Sequence, residues 1–396
     1  MMRDDYVLLL GTSFSAAPLL RHLQSAGLRV AVCGNLRDDP CVSWADAYFA
    51  IDYSDPVALR DLVEAERFTA ICPSCNDAGY LSSAATAHAL GYPGYDTPET
   101  TQILHDKAHF RAFASAHGLA VPWSAGHAQP GDLPAGTRYP LLVKPTDAFS
   151  GRGVVRVDRA EDLPLAIATA RAASRDGKHV VEAFIEGSLH SHSAFLVDAA
   201  IAEEYFVDEF CTVYPYQVNC SNSPSRLSPA VRAKARAAVA ALVERLRPVD
   251  GLLHTQFMVR DDEVFLIECM RRCPGDLYAN LIQYSSGATY IDNYLRPFLG
   301  RALAPSQRTT FEPWARHTIS LREPAIVWSF RDNFPALDVT VFPLRESGAL
   351  IDRAPFDKLA IVFARFESEL ALFAATPHLD ALVSIQSESH DHAASR

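Results

Sequence analysis

The 396-residue sequence lacks a run of about 18 uninterrupted apolar residues, so we expect no segment that spans a membrane. Its first residues, MMRDDYVLLLGTS, lack the basic stretch and the long apolar stretch of a signal peptide. Positive charge is also scarce, because 36 Lys and Arg stand against 47 Asp and Glu and leave a net charge of -11. This balance argues against general binding of nucleic acid or anionic membranes. We therefore expect a cytoplasmic protein that holds anions only in local sites.

Cysteine is sparse as well, with eight residues in the chain. This number suits reduced thiols better than a disulfide framework. Cys72 and Cys75 form one close pair and Cys269 and Cys273 another, so a four-thiolate zinc site is an alternative. The first pair ends an apolar run and the second is irregularly spaced, which favours buried, unreactive thiols.

Two common nucleotide-binding motifs are missing. The segment GTSFSAAP after the first apolar run lacks the pattern G-x-G-x-x-G, and the glycine loop at 150–153 is not the P-loop G-x-x-x-x-G-K-[ST]. Residues 11–15 are therefore either a strand-to-helix turn capped by Ser13 or Ser15, or a contact to a small substrate.

The first 95 residues alternate short apolar runs with helical patterns, which predicts a parallel sheet with right-handed crossovers. Ligands of such sheets bind beyond the carboxyl ends of the strands. This rule places residues 11–15 and 73–77 at the functional edge. Ser13, Asn76 and Asp77 are the candidate substrate contacts there.

Two lysines and a glycine loop follow. Residues 98–118 predict a helix that contains Lys107, and the β-type run LLVKP ends on Lys144 and Pro145. Glycines in a loop let backbone N–H groups converge on an anion, and Lys144 can add a point charge to the same phosphates. A glycine hairpin with a surface lysine is the alternative. The loop consists of Ser150, Gly151, Arg152 and Gly153.

The segment VVEAFIEG, residues 180–187, places Glu182 in an apolar strand just before a glycine turn. A hinge strand of this kind could offer backbone groups to the edge of a purine and the Glu182 carboxylate to its exocyclic amine. An edge-strand carboxylate without a ligand is the alternative.

Residues 228–247 predict an amphipathic helix that opens at Ser228, and residues 251–270 predict an antiparallel hairpin. A two-residue loop would put Gln256 and Glu268 on opposite faces, whereas an odd-numbered loop would pair them directly. In the second register His254 joins them on a face whose oxygen atoms suit Mg²⁺. Arg272, just beyond, can stabilise charge on a transferring group. The opposite face is then the core face, with Thr255, Phe257, Val259, Phe265, Ile267 and Cys269.

The order of these motifs resembles the ATP-grasp superfamily over roughly residues 1 to 300. The resemblance implies a Rossmann-like parallel-sheet α/β domain at 1–105, followed by an ATP-grasp fold of two α+β subdomains. The smaller subdomain, with the hinge strand, would cover 106–187, and the larger one 188–385. Residues 386–396 are expected to form a disordered tail.

The resemblance also implies residue roles. Lys107 and Lys144 look like the two lysines that contact ATP phosphates, with the loop 150–153 closing over them. Gln256 and Glu268 match the positions that bind Mg²⁺ or Mn²⁺, and Arg272 matches the arginine of the family's Glu-x-Asn-x-Arg. The residues that would read adenine are Glu182, Ala183, Phe184 and Ile185.

Two positions depart from the family's pattern. Leu189 stands where the family often has a ribose-binding glutamate, so His190 or another residue would hold the sugar. Met270 stands where the family usually has an asparagine that binds the metal, and a thioether is a poor partner for Mg²⁺.

The implied activity is an ATP-dependent ligase that activates a small-molecule carboxylate as an acyl phosphate and joins it to an amine. Asp276 is a candidate to orient the amine, with an ordinary turn aspartate as the alternative. The rival functions are a kinase or carboxylase on the same core, and a catalytically silent nucleotide-binding protein. The expected partners are small molecules rather than nucleic acid or membrane, and a homodimer is the expected assembly if the protein is not a monomer.

Overall fold

A parallel sheet forms the N-terminal part of the chain, as the alternation of apolar and helical segments predicts. The structure is a computed structural model that describes residues 6–148, 150–304, 306 and 311–389. Residues 11–15 and 74–77 follow two adjacent parallel strands and meet at one edge. The strands are β1 (Tyr6–Leu10), β2 (Arg29–Cys33), β3 (Ala47–Phe49) and β4 (Ala70–Pro73), in the order β3-β2-β1-β4. The helices are α1 (Ala17–Ser25), α2 (Pro40–Trp44), α3 (Pro56–Glu66) and α4 (Asp77–Leu90).

Residues 98–118 form two helices, so the prediction of a single helix is wrong. Helix α5 (Pro98–His105) ends before Asp106, and α6 (Lys107–Ala116) begins after it. Asp106 is extended, and its carboxylate accepts a hydrogen bond from the backbone N–H of His109 at 2.9 Å. A capping aspartate of this kind competes with helix continuation. Lys107 therefore occupies the first turn of α6.

A four-stranded antiparallel sheet follows and carries Lys144 and Glu182 on adjacent strands. Its strands are β5 (Ser124–Gly126), β6 (Leu141–Pro145), β7 (Val155–Val157) and β8 (His179–Ala183), in the order β5-β8-β6-β7. Helix α7 (Leu163–Ala173) packs Leu163, Ala166, Ile167 and Ala170 against it.

An eight-stranded antiparallel sheet forms the largest layer. Its order is β13-β12-β9-β10-β11-β14-β18-β16. The strands are β9 (Ser188–Val197), β10 (Ala200–Phe210), β11 (Cys220–Ser223), β12 (Gly251–Arg260), β13 (Glu263–Met270), β14 (Trp314–Ile319), β16 (Asp338–Pro343) and β18 (Ala360–Arg365). The helices that accompany it are α8 (Pro229–Leu246), α9 (Tyr278–Ser286) and α10 (Tyr290–Leu295).

A three-stranded sheet and helix α11 (Glu369–Ala375) complete the chain. The sheet has the order β17-β15-β19 and contains β15 (Ala325–Asp332), β17 (Ala349–Ile351) and β19 (Val383–Ser389). The expectation of a disordered tail from residue 386 is wrong for 386–389, because they pair with β15 as part of β19. Residues 390–396 lie outside the described residues.

The mixture of a parallel sheet with antiparallel sheets confirms the expected fold class. The domain boundaries expected after residues 105 and 187 fall at the break between α5 and α6 and in the turn before β9. No helix in the described ranges is long and apolar enough to cross a membrane.

Candidate active site

A cavity of about 1810 Å³ lies between the N-terminal sheet, the four-stranded sheet and the eight-stranded sheet. Pockets for drug-sized ligands usually measure about 300–1,000 Å³, so this one has room for a nucleotide and a second small molecule. Residues from all three sheets line it, including most of the predicted site residues.

Lys144 and Glu182 form a buried ion pair in the wall of this cavity. Glu182 is 2% exposed and also pairs with Nη2 of Arg111 at 3.1 Å. Burial lowers the pKa of Lys144, while the charges of Lys144 and Arg111 outweigh burial and hold the pKa of Glu182 below its ordinary value. Any hydrogen bond from an exocyclic amine to Glu182 must therefore share the carboxylate with these cations. The neighbouring hinge residues Ala183, Phe184 and Ile185 line the cavity beside it.

The glycine loop meets the cavity at its first two residues, Ser150 and Gly151. Gly151 has a φ of +71°, and a Cβ there would lie 2.9 Å from the backbone of Tyr216. Packing against Tyr216 therefore requires glycine, whether or not a phosphate approaches. Gly153 is equally confined, because a Cβ would lie 2.4 Å from that of Ala173. Arg152 stacks over the ring of Phe356 at 5.2 Å, and neither it nor Gly153 is part of the cavity wall.

The β12–β13 hairpin pairs Gln256 directly with Glu268, but by another route than the odd-numbered loop. The turn has two residues, Asp261 and Asp262, both with positive φ. The register then shifts at a β-bulge, where Phe257 pairs with Leu266 and Gln256 with Glu268, so that Ile267 is the extra residue. The bulge turns Glu268 onto the face of Gln256.

The bulge also changes which residues of β13 face the core. Val264 and Leu266 are buried in the core, whereas Phe265 and Ile267 are half-buried, and Ile267 lines the cavity. The prediction that Phe265 and Ile267 face the core is therefore wrong. A two-residue turn sets residues 264 and 266 inward, and only the bulge restores the register beyond them.

One lysine and one further carboxylate lie beside the Gln256–Glu268 pair. Nζ of Lys107 lies 3.7 Å from Oε2 of Glu268 and donates a hydrogen bond to the carbonyl oxygen of Ala148 at 3.2 Å. Nε2 of Gln256 donates to Oε2 of Glu209 at 2.7 Å. Burial raises the pKa of Glu209 to about 7.

The donor atoms of this pair, an amide oxygen and a carboxylate, suit a hard cation such as Mg²⁺. Within the described part of the chain, no three His, Cys, Asp or Glu side chains are grouped to hold a metal ion. A cation bound here would complete its coordination with phosphate oxygens and water, which is how Mg²⁺ is commonly held. The residues present therefore fit Mg²⁺ that binds together with a nucleotide.

The two consecutive arginines have different surroundings. The guanidinium of Arg271 is 2% exposed and donates to Asp96 at 2.7 Å and to the carbonyl oxygens of Leu252 and Val249 at 2.6 Å each. Arg272 lines the cavity and donates to both carboxylate oxygens of Asp77, at 3.0 and 2.7 Å. Only Arg272 can therefore reach a ligand in the cavity.

Asp77 is the residue that fixes Arg272. Its carboxylate also contacts Nδ1 of His105 at 3.1 Å. The carboxylate is only partly exposed, and desolvation opposes its ionisation, yet Arg272 and His105 hold the pKa of Asp77 well below its ordinary value. Asp77 thus positions the arginine across the junction between the N-terminal sheet and the hairpin.

Asp276 also lines the cavity, but its carboxylate forms a close ion pair with the fully buried Arg316. Asn76 lines it too, while its side chain caps α4 by accepting from the N–H of Gly79 at 2.7 Å. Ser13 does not line the cavity, whereas Ser15 does. The hydroxyl oxygens of the two serines lie 2.9 Å apart. The turn therefore offers Ser15 rather than Ser13 to a ligand.

The cysteines form no zinc site in the described residues. All eight are free thiols, and seven of them are buried. Burial raises the pKa of Cys72 and Cys269, which disfavours the thiolate that binds zinc.

His190 lies behind the sheet, so its expected contact with ribose is wrong. Alternation along β9 places Leu189 in the cavity wall and His190 on the opposite face. His190 is 1% exposed and contacts the hydroxyl of Ser188 at 2.7 Å and the carboxylate of Asp208 at 2.8 Å. The ring is therefore part of a buried polar network.

Replacing His190 with alanine tests this placement. We expect the free energy of unfolding to fall by about 1–3 kcal/mol, because the buried carboxylate of Asp208 loses a partner. The dissociation constant for ATP should stay within about twofold, since His190 does not reach the cavity. Chemical denaturation measures the stability and calorimetric titration measures the affinity for ATP. A large loss of ATP affinity without a loss of stability would show that His190 contacts the ribose after all.

Glu209, Lys358 and Arg316 are among the residues of the wall region that no sequence motif singles out. Glu209 and Lys358 line the cavity directly, and Arg316 supports it through Asp276. The segment 203–219 is rich in acidic and aromatic residues, and that composition was the only available signal for Glu209. Arg316 lies on β14 and Lys358 just before β18, and no local motif marks either residue.

No protein-family model matches the chain. The formate-dependent phosphoribosylglycinamide formyltransferase of Janthinobacterium sp. (strain Marseille) is 25% identical over 359 residues, which cover 87% of this chain and 87% of that protein. The enzyme of the same name from Variovorax paradoxus (strain S110) is 28% identical over 291 residues, or 67% of this chain and 69% of that protein. The carbamoyl phosphate synthase large chain of Xanthomonas axonopodis pv. citri (strain 306) is 27% identical over 235 residues. That match covers 54% of this chain but only 21% of the much longer relative.

Solved structures resemble the chain over nearly its whole length. An L-amino acid ligase from Bacillus licheniformis has a TM-score of 0.81 at 18% identity, covering 98% of this chain and 100% of that chain. A phosphoribosylglycinamide synthetase from Anaerococcus prevotii has a TM-score of 0.75 at 15% identity, with the same coverage. At these identities the structural likeness concerns the fold alone. Together with the sequence relatives, this fold supports the resemblance to the ATP-grasp superfamily that the order of the motifs indicates.

Proposed function

We propose that the protein is an ATP-dependent ligase that activates a small-molecule carboxylate as an acyl phosphate and joins it to an amine. The observation that carries the proposal is the convergence of Lys107, Lys144, Glu268 and Arg272 on one cavity. Two structural neighbours, named as a phosphoribosylglycinamide synthetase and an L-amino acid ligase, support the same reaction class.

Different cavity residues serve different steps of the proposed reaction. Lys107 and Lys144 neutralise charge on the ATP phosphates, and the glycine loop excludes water that would hydrolyse an acyl phosphate. Gln256 and Glu268 would hold Mg²⁺, which neutralises phosphate charge when it is bound. The amine attacks the acyl carbon and phosphate leaves. Arg272, fixed by Asp77, stabilises the oxyanion that forms in this step.

The direct test is ADP release from ATP with a panel of carboxylates, each combined with a panel of amines. We expect ADP and phosphate only when a suitable carboxylate is present, and a C–N product when its amine is added. ATP binding without ADP release for any pair would reject the ligase and favour a silent nucleotide-binding protein. ADP release with the phosphoryl group retained on the product would favour a kinase.

Replacing Met270 with asparagine supplies the oxygen that the family usually places there. Met270 pairs with His254 at the end of the hairpin and lines the cavity beside Glu268. We expect the Mg²⁺ concentration for half-maximal ADP formation to fall by about tenfold, the lower end of what partners of a metal site contribute. Met258→Asn, which places an amide at a cavity-facing position of the neighbouring strand β12, is the control. An unchanged Mg²⁺ requirement in Met270→Asn would argue against a cation at this end of the hairpin.

A further inference from the structure

Ser188 is the first residue of β9 and carries the first side-chain hydroxyl after the hinge residues. It lines the cavity and is half-buried. The preceding Gly187 lies so close to β12 that a Cβ there would collide with the carbonyl oxygen of Val259. The chain therefore leaves the hinge along a confined path, which brings Ser188 to the cavity.

A buried histidine and a buried aspartate hold the hydroxyl of Ser188. Its oxygen lies 2.7 Å from Nε2 of His190, and Nδ1 of the same ring lies 2.8 Å from the carboxylate of Asp208. Asp208 is 1% exposed and also accepts hydrogen bonds from the backbone N–H of Arg226 and the side-chain amide of Asn222, at 3.0 Å each. The ring is therefore fixed behind the serine.

These contacts determine which way the hydroxyl of Ser188 points. Burial raises the pKa of Asp208, but the contacts with His190 and Ser225 outweigh burial and hold this pKa below its ordinary value. The ionised carboxylate can only accept, so Nδ1 of His190 carries a hydrogen and Nε2 of the neutral ring is an acceptor. The hydrogen of the serine hydroxyl therefore points at Nε2. The lone pairs of its oxygen are left for a donor in the cavity.

Ser188 lies between the parts of the cavity that suit the base and the phosphates of a nucleotide. The hinge residues 183–185 line the cavity and come just before it in the chain. Strand β9 pairs with β12 so that Ser188 is opposite Val259 and Ser191 is opposite Gln256. The proposed metal pair is therefore roughly 10 Å along the strand from Ser188, at about 3.4 Å per residue. In an adenine nucleotide the ribose stands between the base and the phosphates, and its two hydroxyls are donors.

We propose that Ser188 binds the ribose of ATP by accepting a hydrogen bond from its 2′- or 3′-hydroxyl. Leu189 lines the cavity with an apolar side chain, and His190 lies behind the sheet, so neither residue can make this contact. The proposal rests on the proposed function, which supplies the nucleotide. Ser188 thereby makes the site selective for a sugar that donates a hydrogen bond.

The test is a calorimetric titration with ATP and with its 2′-deoxy-2′-fluoro and 3′-deoxy-3′-fluoro analogues, in the presence of Mg²⁺ and without carboxylate or amine. Fluorine is similar in size to a hydroxyl group but has no hydrogen to donate. We expect the wild type to bind one of the two analogues about five- to tenfold more weakly than ATP, because one hydrogen bond is lost. Equal affinity for all three nucleotides would overturn the proposal.

Substitutions of Ser188 assign the effect to this residue. Ser188→Ala should bind ATP about five- to tenfold more weakly than the wild type, and should bind ATP and the fluoro analogue equally well, because the acceptor is missing in both complexes. Ser188→Cys keeps the size of the side chain and weakens the acceptor, so it gives the same comparison if the alanine variant does not fold. Ser188→Thr keeps the hydroxyl and should retain the preference for ATP.

Ser54→Ala is the matched control. Ser54 also lines the cavity, but its hydroxyl donates to the carboxylate of Asp52 at 2.6 Å in the segment between β3 and α3. This variant should titrate like the wild type, and the midpoint of thermal unfolding shows that each variant is folded. A folded Ser188→Ala or Ser188→Cys protein that still prefers ATP to the fluoro analogue would overturn the assignment to Ser188.

The titrations are independent of turnover. If no carboxylate and amine pair yields ADP while a fluoro analogue binds more weakly than ATP, the ligase function fails and the ribose contact stands. If ADP forms but all three nucleotides bind equally well, only the ribose contact fails. A wild type that does not bind ATP would overturn both.

Discussion

Replacing Glu268 with glutamine is expected to lower the rate of ADP formation by about 10²- to 10³-fold, the loss seen when one preorganised electrostatic group is removed from an active site. The side chain keeps its size, so the change removes the negative charge that faces Lys107 at 3.7 Å and that would bind Mg²⁺. Glu268 is 30% exposed, and its substitution should leave the fold intact. Steady-state ADP release at saturating ATP and Mg²⁺ measures the effect.

Glu263→Gln is the matched control for this prediction. Glu263 lies on the same strand, is 66% exposed and pairs with Lys234 at 2.6 Å, so its loss should change neither activity nor stability appreciably. Wild-type rates in Glu268→Gln would remove the carboxylate from the proposed metal site. Equal losses in both variants would point to damage to the hairpin rather than to the site.

Substitutions of the two neighbouring arginines are expected to differ in effect, one lowering stability and the other lowering activity. Arg271→Met is expected to destabilise the protein by about 3–5 kcal/mol, because it leaves the buried carboxylate of Asp96 without its cationic partner. The same change deprives two carbonyl oxygens of their donors. Arg272→Met is expected to reduce ADP formation by about 10²-fold or more, because it removes an oxyanion-stabilising charge. Its stability cost should be smaller, since Asp77 is partly exposed and keeps its contact with His105.

Each arginine variant is the control for the other. The midpoint of thermal unfolding should fall strongly in Arg271→Met and only modestly in Arg272→Met. The rate per folded molecule should show the opposite order. A stable, active Arg272→Met protein would exclude Arg272 from the chemistry, and an inactive but fully stable Arg271→Met protein would reverse the two roles.

The N-terminal sheet and helix α8 could be predicted because their signals are local. Alternating apolar runs encode the parallel strands, and Ser228 caps α8 by accepting from the N–H of Val231 at 3.3 Å. The break at Asp106 was also encoded locally, yet an aspartate in an otherwise helical pattern is ambiguous without its hydrogen bonds.

The hairpin pairs Gln256 with Glu268 as predicted, although its turn differs from the predicted one. Gln256 and Glu268 were expected opposite each other through a longer loop, whereas the chain uses a two-residue turn and a bulge at Ile267. A bulge leaves little trace in sequence, because the extra residue is an ordinary isoleucine. The functional pairing was therefore predictable, and the core face of β13 was not.

The remaining contacts of the site could not be predicted, because they join residues far apart in the sequence. Lys144 and Glu182 form an ion pair although they lie 38 positions apart, and Arg272 donates to Asp77 across 195 positions. Neither pairing has a sequence signal. His190 was misplaced because its neighbour Leu189 faces the cavity and strand alternation turns the histidine away. Lys358 required the folded sheet to bring the start of β18 next to Phe14.

Transfer of oxygen from the carboxylate to phosphate tests the acyl-phosphate mechanism most directly. The carboxylate that supports turnover is labelled with ¹⁸O, and the phosphate released with ADP is examined by ³¹P NMR or mass spectrometry. The mechanism predicts that each phosphate carries one ¹⁸O from the carboxylate, because the acyl carbon–oxygen bond breaks when the amine attacks. Unlabelled phosphate, or AMP and pyrophosphate in place of ADP, would contradict it.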